Sequence, residues 1–442
     1  MLDFIHTLRY EDLPSEIVTQ ARRLLLDVIG TAAGGSTTDA ARIMSNNSTR
    51  FYGAAEGDGT RILLDGRRVS APGAAMAGGI MIDSLDCHDG HVLVKGHIGV
   101  VVLPTLLAFL DCGCVLDDYE FLTGFVLGYE IATRSGIALH STVPDFHSSG
   151  AWNALACAAL GARLLNLTPE QTRQALGIAE YYGPRSQIMR VVDYPTMVKD
   201  GSGWGALAGV SATYLAADGF TGAPALTVER PEVAEIWADL GTRWRIMEQY
   251  LKAYPICRWA QPAVEAAFSL QREHHIPADQ IASVEVHTFH EGCRLATREP
   301  VSTDEAQYSL PFPVAAGLVR GQIGAGEVTG DALHDPAILR LSHAVKLIED
   351  DGYNARFPAE RWAHATIVLQ DGTRLDSAPA IARGNPENPL SDAELREKYH
   401  LLTEPVVGKD RADRIEQAVD QLGRSGSGET LGDLLALILE SP

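Results

Sequence analysis

Apolar residues recur at helical spacing through the first half of the chain. Behind Ser15, the positions Ile17, Ala21, Leu24, Leu25, Val28 and Ile29 follow the 3.6-residue period, predicting a helix that Ser15 caps and Gly34-Gly35 ends. Thr168-Pro169-Glu170-Gln171 predicts another start: a capping threonine, a proline at the first helical position and a glutamine placed to close a capping box. Stretches such as "AWNALACAALGARLL" and "GALAGVSATYLAADGF" are rich in small residues, which suits close helix packing. The longest apolar run, "IGVVVLPTLLAFL" at 98–110, is too short to cross the ~30 Å of a bilayer's hydrocarbon and reads as a core helix with a proline near its start.

The texture changes after about residue 270. "SVEVHTF" (283–289) alternates as a half-buried strand does, and "ATIVLQDGTRLDSA" (365–378) reads as a hairpin turning at Asp371-Gly372. Helical segments fall between these strands. From "SDAELREKY" onward the pattern is helical again, with "GRSGSGETLG" as a flexible connector. The predicted fold class is mainly α: a large all-helical domain over 1–255, completed by 390–442, with a second, smaller α+β domain over 256–389.

Composition narrows the partners. At 442 residues the chain exceeds the ~250–300 that one core supports, which agrees with two domains. With 36 basic against 57 acidic side chains, the net charge of −21 disfavours nucleic acid and anionic membrane. An anionic substrate would need basic residues concentrated locally. The six cysteines are scattered without a CxxC pair and read as reduced thiols in a cytoplasmic protein. The opening "MLDFIHTLRYEDL" lacks a basic region followed by an apolar one, so it does not read as a signal peptide.

Four polar clusters interrupt this texture: "DSLDCHDGHVLVKGHIG" (83–99), "DFHSSGAW" with His147, "YPTMVKDGSGWG" with Lys199, and "LKAYPICRWAQP" (251–262) at the expected domain junction. Pockets between domains are common binding sites. In the first cluster, His88, Asp89, His91 and His97 permit a metal-dependent hydrolase, but intervening glycines and the lack of an HExxH or CxxC pattern argue against a tetrahedral site. Asp83 and His88 read as parts of a solvated loop, and Cys87 as a small buried residue. His97 leads into the apolar helix beside aspartates and Lys95, which suits an acid–base group. Lys199 is followed by closely spaced glycines that restrict its access to water, as a lysine base requires. Arg185 and Arg190 could fork onto carboxylates.

The order of these motifs resembles the 2-methylcitrate dehydratase (MmgE/PrpD) family, in "LDxxDxH…KGHxG…VLP", "FHxxG", "K…GxGWGAxAGVSAxxLAxxGFTG", "KxYPxCRWxxP" and "AQYSLPFPVA". The family's known members include cis-aconitate decarboxylases and an iminodisuccinate epimerase. The resemblance spans nearly the whole chain and implies a helical domain with an α+β lid domain, a homodimer and no metal or organic cofactor. It implies Asp86, His97, His147 and Lys199 as catalytic residues. Two positions depart from the family pattern, Gln261 in place of a histidine and Phe312 in place of a tyrosine, and both weigh against decarboxylation.

The reaction so implied is proton abstraction next to a carboxylate, followed by loss of water, loss of CO₂ or reprotonation on the other face. A dehydratase of a citrate-like hydroxy polycarboxylate comes first, with Lys199 or His97 taking the proton and His147 or Asp86 positioning the hydroxyl. Lys95, Asp89, Lys252, Arg258, Gln261 and Arg185 are the expected substrate-binding residues. An epimerase using His97 and Lys199, the metal hydrolase, and an inert binding protein of the same fold are the alternatives.

Overall fold

A computed structural model describes residues 1–55, 57, 59–424 and 428–442. Helices make up 59% of it and strands 9%, so the chain is mainly α with a smaller α+β part. Its apolar side chains gather into two main cores. The first draws on Ile5 to Leu251 and again on Leu390 to Leu439, whereas the second draws on Val191, Val192 and Tyr254 to Ile367.

Small residues set the helix spacing in the first core. The Ser15–Ser36 helix runs through Gly34-Gly35 rather than ending there, and Pro14, not Ser15, holds the cap position. The glycines serve packing instead: a Cβ on Gly35 would strike the Met81 carbonyl oxygen of the Ala71–Leu85 helix. At Thr168 the capping box forms, the threonine Oγ1 accepting from the Gln171 N–H at 3.2 Å and Gln171 Oε1 accepting from the Thr168 N–H at 3.0 Å. The 98–110 run forms the buried helix Gly99–Asp111, with Pro104 inside it packed against Gly78. Among the described residues no helix is long and apolar enough to cross a membrane.

The closing helices, Asp392–Val407, Lys409–Gln421 and Glu429–Ile438, return to the first core. A buried cation ties them in: Lys398 Nζ donates to Asp27 Oδ1 at 2.5 Å and to the Cys87 carbonyl at 2.6 Å. The centre of the "GRSGSGETLG" connector, residues 425–427, lies outside the described residues.

The second core is built on a five-stranded sheet. In spatial order run Val345–Glu349, Ile281–Thr288, Trp362–Leu369 and Arg374–Asp376, while Ala380–Ile381 pairs with the start of Trp362–Leu369. Only the first pair is parallel, and its crossover contains the helices Pro311–Arg320 and Pro336–Ala344. Ile281, Val284 and Val286 point inward from the central strand. The hairpin turns at Asp371-Gly372: Gly372 takes φ +87°, and Asp371 Oδ1 accepts the Thr373 N–H at 2.8 Å.

Candidate active site

The Ala71–Leu85 helix ends inside the protein, so its last carbonyls need partners other than water. Side chains supply them. Gln307 Nε2 donates to the carbonyls of Ser84 and Leu85 at 3.1 and 3.0 Å, and Lys252 Nζ donates to that of Asp86 at 2.9 Å. Asp86 leaves the helix at φ +53°, and its Oδ1 accepts from the same Lys252 ammonium at 2.5 Å. Asp86, Lys95 and Lys199 are three of the six described non-glycine residues with positive φ. Such backbone costs about 1–3 kcal/mol each and clusters at functional sites.

Beside this helix end lies a cavity of about 380 Å³ between the two cores. Asp86, Lys95, His97 and Asp200 face it from one side, and Arg258, Tyr308 and Arg361 from the other. Tyr250 and Lys252 join the two walls.

Among the described residues His97 is the one imidazole in the cavity wall, and its tautomer follows from its neighbours. Nδ1 lies 2.5 Å from the Asp89 carbonyl oxygen, which only accepts, so Nδ1 carries the hydrogen and Nε2 keeps its lone pair. Nε2 stands 3.7 Å from Asp86 Oδ1 and 3.8 Å from Asp200 Oδ2. The start of the Gly150–Leu164 helix holds the backbone here. Ser149 Oγ accepts the His97 N–H at 3.0 Å and donates to Asp200 Oδ2 at 2.7 Å, while Asn153 Nδ2 donates to the His97 carbonyl at 2.9 Å. Burial, helped by Lys252 and opposed by Asp200 and Asp86, lowers the His97 pKa below the usual histidine value. The ring is therefore a neutral proton acceptor at pH 7.

Three cations in the wall form no ion pair among the described residues. Lys95 sets its ammonium 4.4 Å from the centre of the Phe146 ring, and burial, with Arg361 adding to it, brings its pKa down to about 8. Arg258 lies over Tyr250 at 4.7 Å and donates to Gln261 Oε1 (2.8 Å), the Arg383 carbonyl (2.8 Å) and Asn385 Oδ1 (2.6 Å), all uncharged acceptors. Arg361 has no hydrogen-bond partner among the described residues, and its Nε is buried. In a protein of net charge −21 this is the local concentration of positive charge that an anionic substrate needs.

Other expected site residues stand elsewhere. Lys199 is buried, but its ammonium pairs with Asp304 at 2.9 Å, donates to Gln307 Oε1 and lies over the Tyr308 ring at 5.4 Å, and Lys199 is not among the residues of the wall. His147 is half-buried beside wall residues Asp145 and Phe146, its N–H donating to His140 Nε2 at 3.0 Å. Asp89 does not reach the cavity: its carboxylate accepts the N–H groups of Gly99 (3.1 Å) and Ile98 (3.4 Å) at the start of the Gly99–Asp111 helix. Gln261 is buried and holds Arg258, itself fixed by the carbonyls of Tyr254 and Ile256. Lys252 is in the wall, committed to Asp86. Arg185 is exposed and outside the wall.

Asp83 and His88 are not solvated. Both are buried: Asp83 lies within the Ala71–Leu85 helix, and the His88 ring packs on His97 with 4.1 Å between centres. The metal-ligand reading of this stretch also loses its geometry. His91 Nε2 meets Glu248 at 3.0 Å, His97 Nδ1 meets a carbonyl, and Asp89 serves a helix start, so the four groups do not converge.

The sequence reading missed Asp200, Tyr250, Tyr308 and Arg361. Asp200 directly follows Lys199, and Tyr308 lies within "AQYSLPFPVA", so both had a neighbouring signal. Arg361 had none.

Fold and site together define a mainly helical protein with a cavity, lined by a histidine, carboxylates and cations, between its helical body and an α+β unit. Residues 1–236 match the MmgE/PrpD N-terminal domain and residues 254–424 the MmgE/PrpD C-terminal domain, and the chain belongs to the MmgE/PrpD family. A cis-aconitate decarboxylase-like protein of Aspergillus oryzae is 25% identical, the match covering 99% of this chain and 96% of the relative. The cis-aconitate decarboxylases of Aspergillus terreus and Homo sapiens are each 23% identical, covering 98% and 95% of this chain and 94% and 90% of their own.

Proposed function

We propose that the protein is a cofactor-independent lyase that removes a proton α to a carboxylate of a citrate-like hydroxy polycarboxylate and expels water. One observation carries the reading: a neutral His97 with a free Nε2 shares a cavity with the unpaired cations Lys95 and Arg258. The cations hold substrate carboxylates and stabilise the charge that grows as the carbon acid ionises. The proton goes to His97 Nε2, and the carbon electron pair becomes the alkene as the C–O bond breaks. Tyr308 supplies the hydrogen that leaves with the hydroxyl as water. Burial pushes this phenol's pKa well above its ordinary value, and its hydroxyl has no protein acceptor among the described residues. The imidazolium then returns its proton to the phenolate, restoring both groups.

A second reading, decarboxylation, has support from the relatives, which are named cis-aconitate decarboxylases or decarboxylase-like. Dehydration takes a proton from carbon, for which a neutral His97 serves, whereas decarboxylation of an unsaturated acid delivers one to carbon, for which a donor such as Tyr308 would have to serve. An epimerase would need a second base facing His97, and Lys199 is not among the residues of the wall. The protein works in the cytoplasm as a homodimer in this reading. The exposed aromatic residues Tyr181, Tyr182, Tyr194 and Trp204 support self-association, which sedimentation tests.

Incubating the protein with citrate-class hydroxy acids and, separately, with the corresponding unsaturated tricarboxylates, while following alkene absorbance and CO₂ release, separates the readings. Alkene from a hydroxy acid without CO₂ supports the dehydratase, and CO₂ from either substrate overturns it in favour of the second reading. Binding without turnover or proton exchange overturns both and leaves an inert binding protein.

A further inference from the structure

The Arg361 guanidinium is the least satisfied charged group in the wall. It directly precedes the strand Trp362–Leu369, an interior strand of the sheet that pairs on both sides. Among the described residues it makes no hydrogen bond and no ion pair, and its buried Nε has no partner. Its neighbour Arg258 spends its donors on Gln261, Asn385 and backbone carbonyls. Arg361 has no such commitments. It also borders a second cavity of about 370 Å³, whose wall includes Val92, Trp362, Asn385 and the carboxylates Glu360 and Glu387, neither of which pairs with it, so Arg258 and Arg361 lie between two spaces. A guanidinium whose Nε is buried without an acceptor is unfavourable, and no hydrogen bond or ion pair from the described residues answers this one. A planar fork of donors suits a carboxylate, whose two oxygens it meets in parallel.

We propose that Arg361 is a specificity-determining residue that binds a substrate carboxylate remote from the reacting carbon, so that the enzyme selects for the number of carboxylates its substrate carries. The inference rests on the proposed polycarboxylate chemistry and adds to it the residue that counts charges. Asp86 and Asp200 are the carboxylates nearest His97, while Lys95 and Arg258 are the cations that Arg361 acts on. The cavity therefore has a proton-transfer pole and a cationic pole, with Arg361 in the second.

The test uses two unreactive probes, propane-1,2,3-tricarboxylate and methylsuccinate, which lacks one carboxylate, binding to wild type and to Arg361→Gln by calorimetry. Wild type should prefer the tricarboxylate by about 30- to 100-fold, the scale of one desolvated charge-assisted pair, and Arg361→Gln should bind the two within about threefold. The variant's melting temperature should equal or exceed that of wild type, because a half-buried charge with an unpartnered buried Nε is removed. A structural role would lower it instead. If a folded Arg361→Gln keeps the wild-type preference, or melts well below wild type, this inference is overturned while the lyase reading stands. If wild type binds neither probe and acts on no polycarboxylate, the lyase reading falls and this one with it.

Discussion

Replacing Lys95 by arginine should remove the alkaline limit of the reaction. Lys95 must carry its proton to hold a carboxylate, and its pKa is brought down to about 8 by burial and by the Arg361 charge, against a smaller pull from Glu291. At one pH unit above that value only ~10% of the lysine remains protonated, so kcat/KM should fall about tenfold per unit beyond pH 9. The acid limb belongs to His97, which must be neutral to accept a proton. Burial and Lys252 outweigh Asp200 and Asp86, so activity is lost as pH falls through a value below the usual ~6.5 for histidine. The wild-type profile is a bell with its plateau between those two values. Arginine stays protonated throughout, so Lys95→Arg should keep the acid limb and lose the limb near 8. A bound carboxylate favours charged Lys95, so the alkaline limb of kcat should lie above that of kcat/KM. The assay is initial rates of wild type and variant between about pH 5 and pH 10 at constant ionic strength. An unchanged alkaline limb in Lys95→Arg would refute the assignment.

Three further outcomes follow from the packing and the cavity wall. Lys398→Met strands the Asp27 carboxylate in the first core and should cost about 3–5 kcal/mol in denaturant unfolding, much of it recovered in the double variant Asp27→Asn/Lys398→Met. Gly150→Ala drives a Cβ into the Gly201 carbonyl oxygen and displaces the segment carrying Asp200. Activity should fall on the order of 100-fold while stability drops only ~1–3 kcal/mol by the same unfolding measurement. Tyr308→Phe should lower kcat by roughly 100-fold with little change in KM in steady-state rates on the dehydration substrate, since it removes a proton donor but not a carboxylate contact.

Local pattern carried the fold further than the site. The Thr168 capping box and the 371–372 turn are written in adjacent residues, and both form as read. Gly34-Gly35 misled because glycine both ends helices and lets them touch, and only the Met81 carbonyl on another helix decides between the two. Asp86, Lys95 and His97 stood out because they crowd one short stretch. Lys199 stood out equally, yet its ammonium turns to Asp304 and Gln307, residues more than a hundred positions onward. Lys252 and Asp89 were legible as charged groups, but not as the partners of a helix end and a helix start. Arg361 meets Lys95 and Arg258 only through the tertiary fold, so no spacing in "AERWAHATI" announces it.

The role of His97 as the base can be tested by exchange of the α proton. A citrate-class tricarboxylate is incubated in D₂O with wild type or His97→Gln, deuterium incorporation and alkene are followed by NMR, and binding is measured by calorimetry. If His97 is the base, the variant binds within about fivefold of wild type and neither exchanges the proton nor forms alkene, a loss of at least ~10³-fold. Exchange at the wild-type rate in a folded His97→Gln would contradict the assignment and return the proton transfer to another residue.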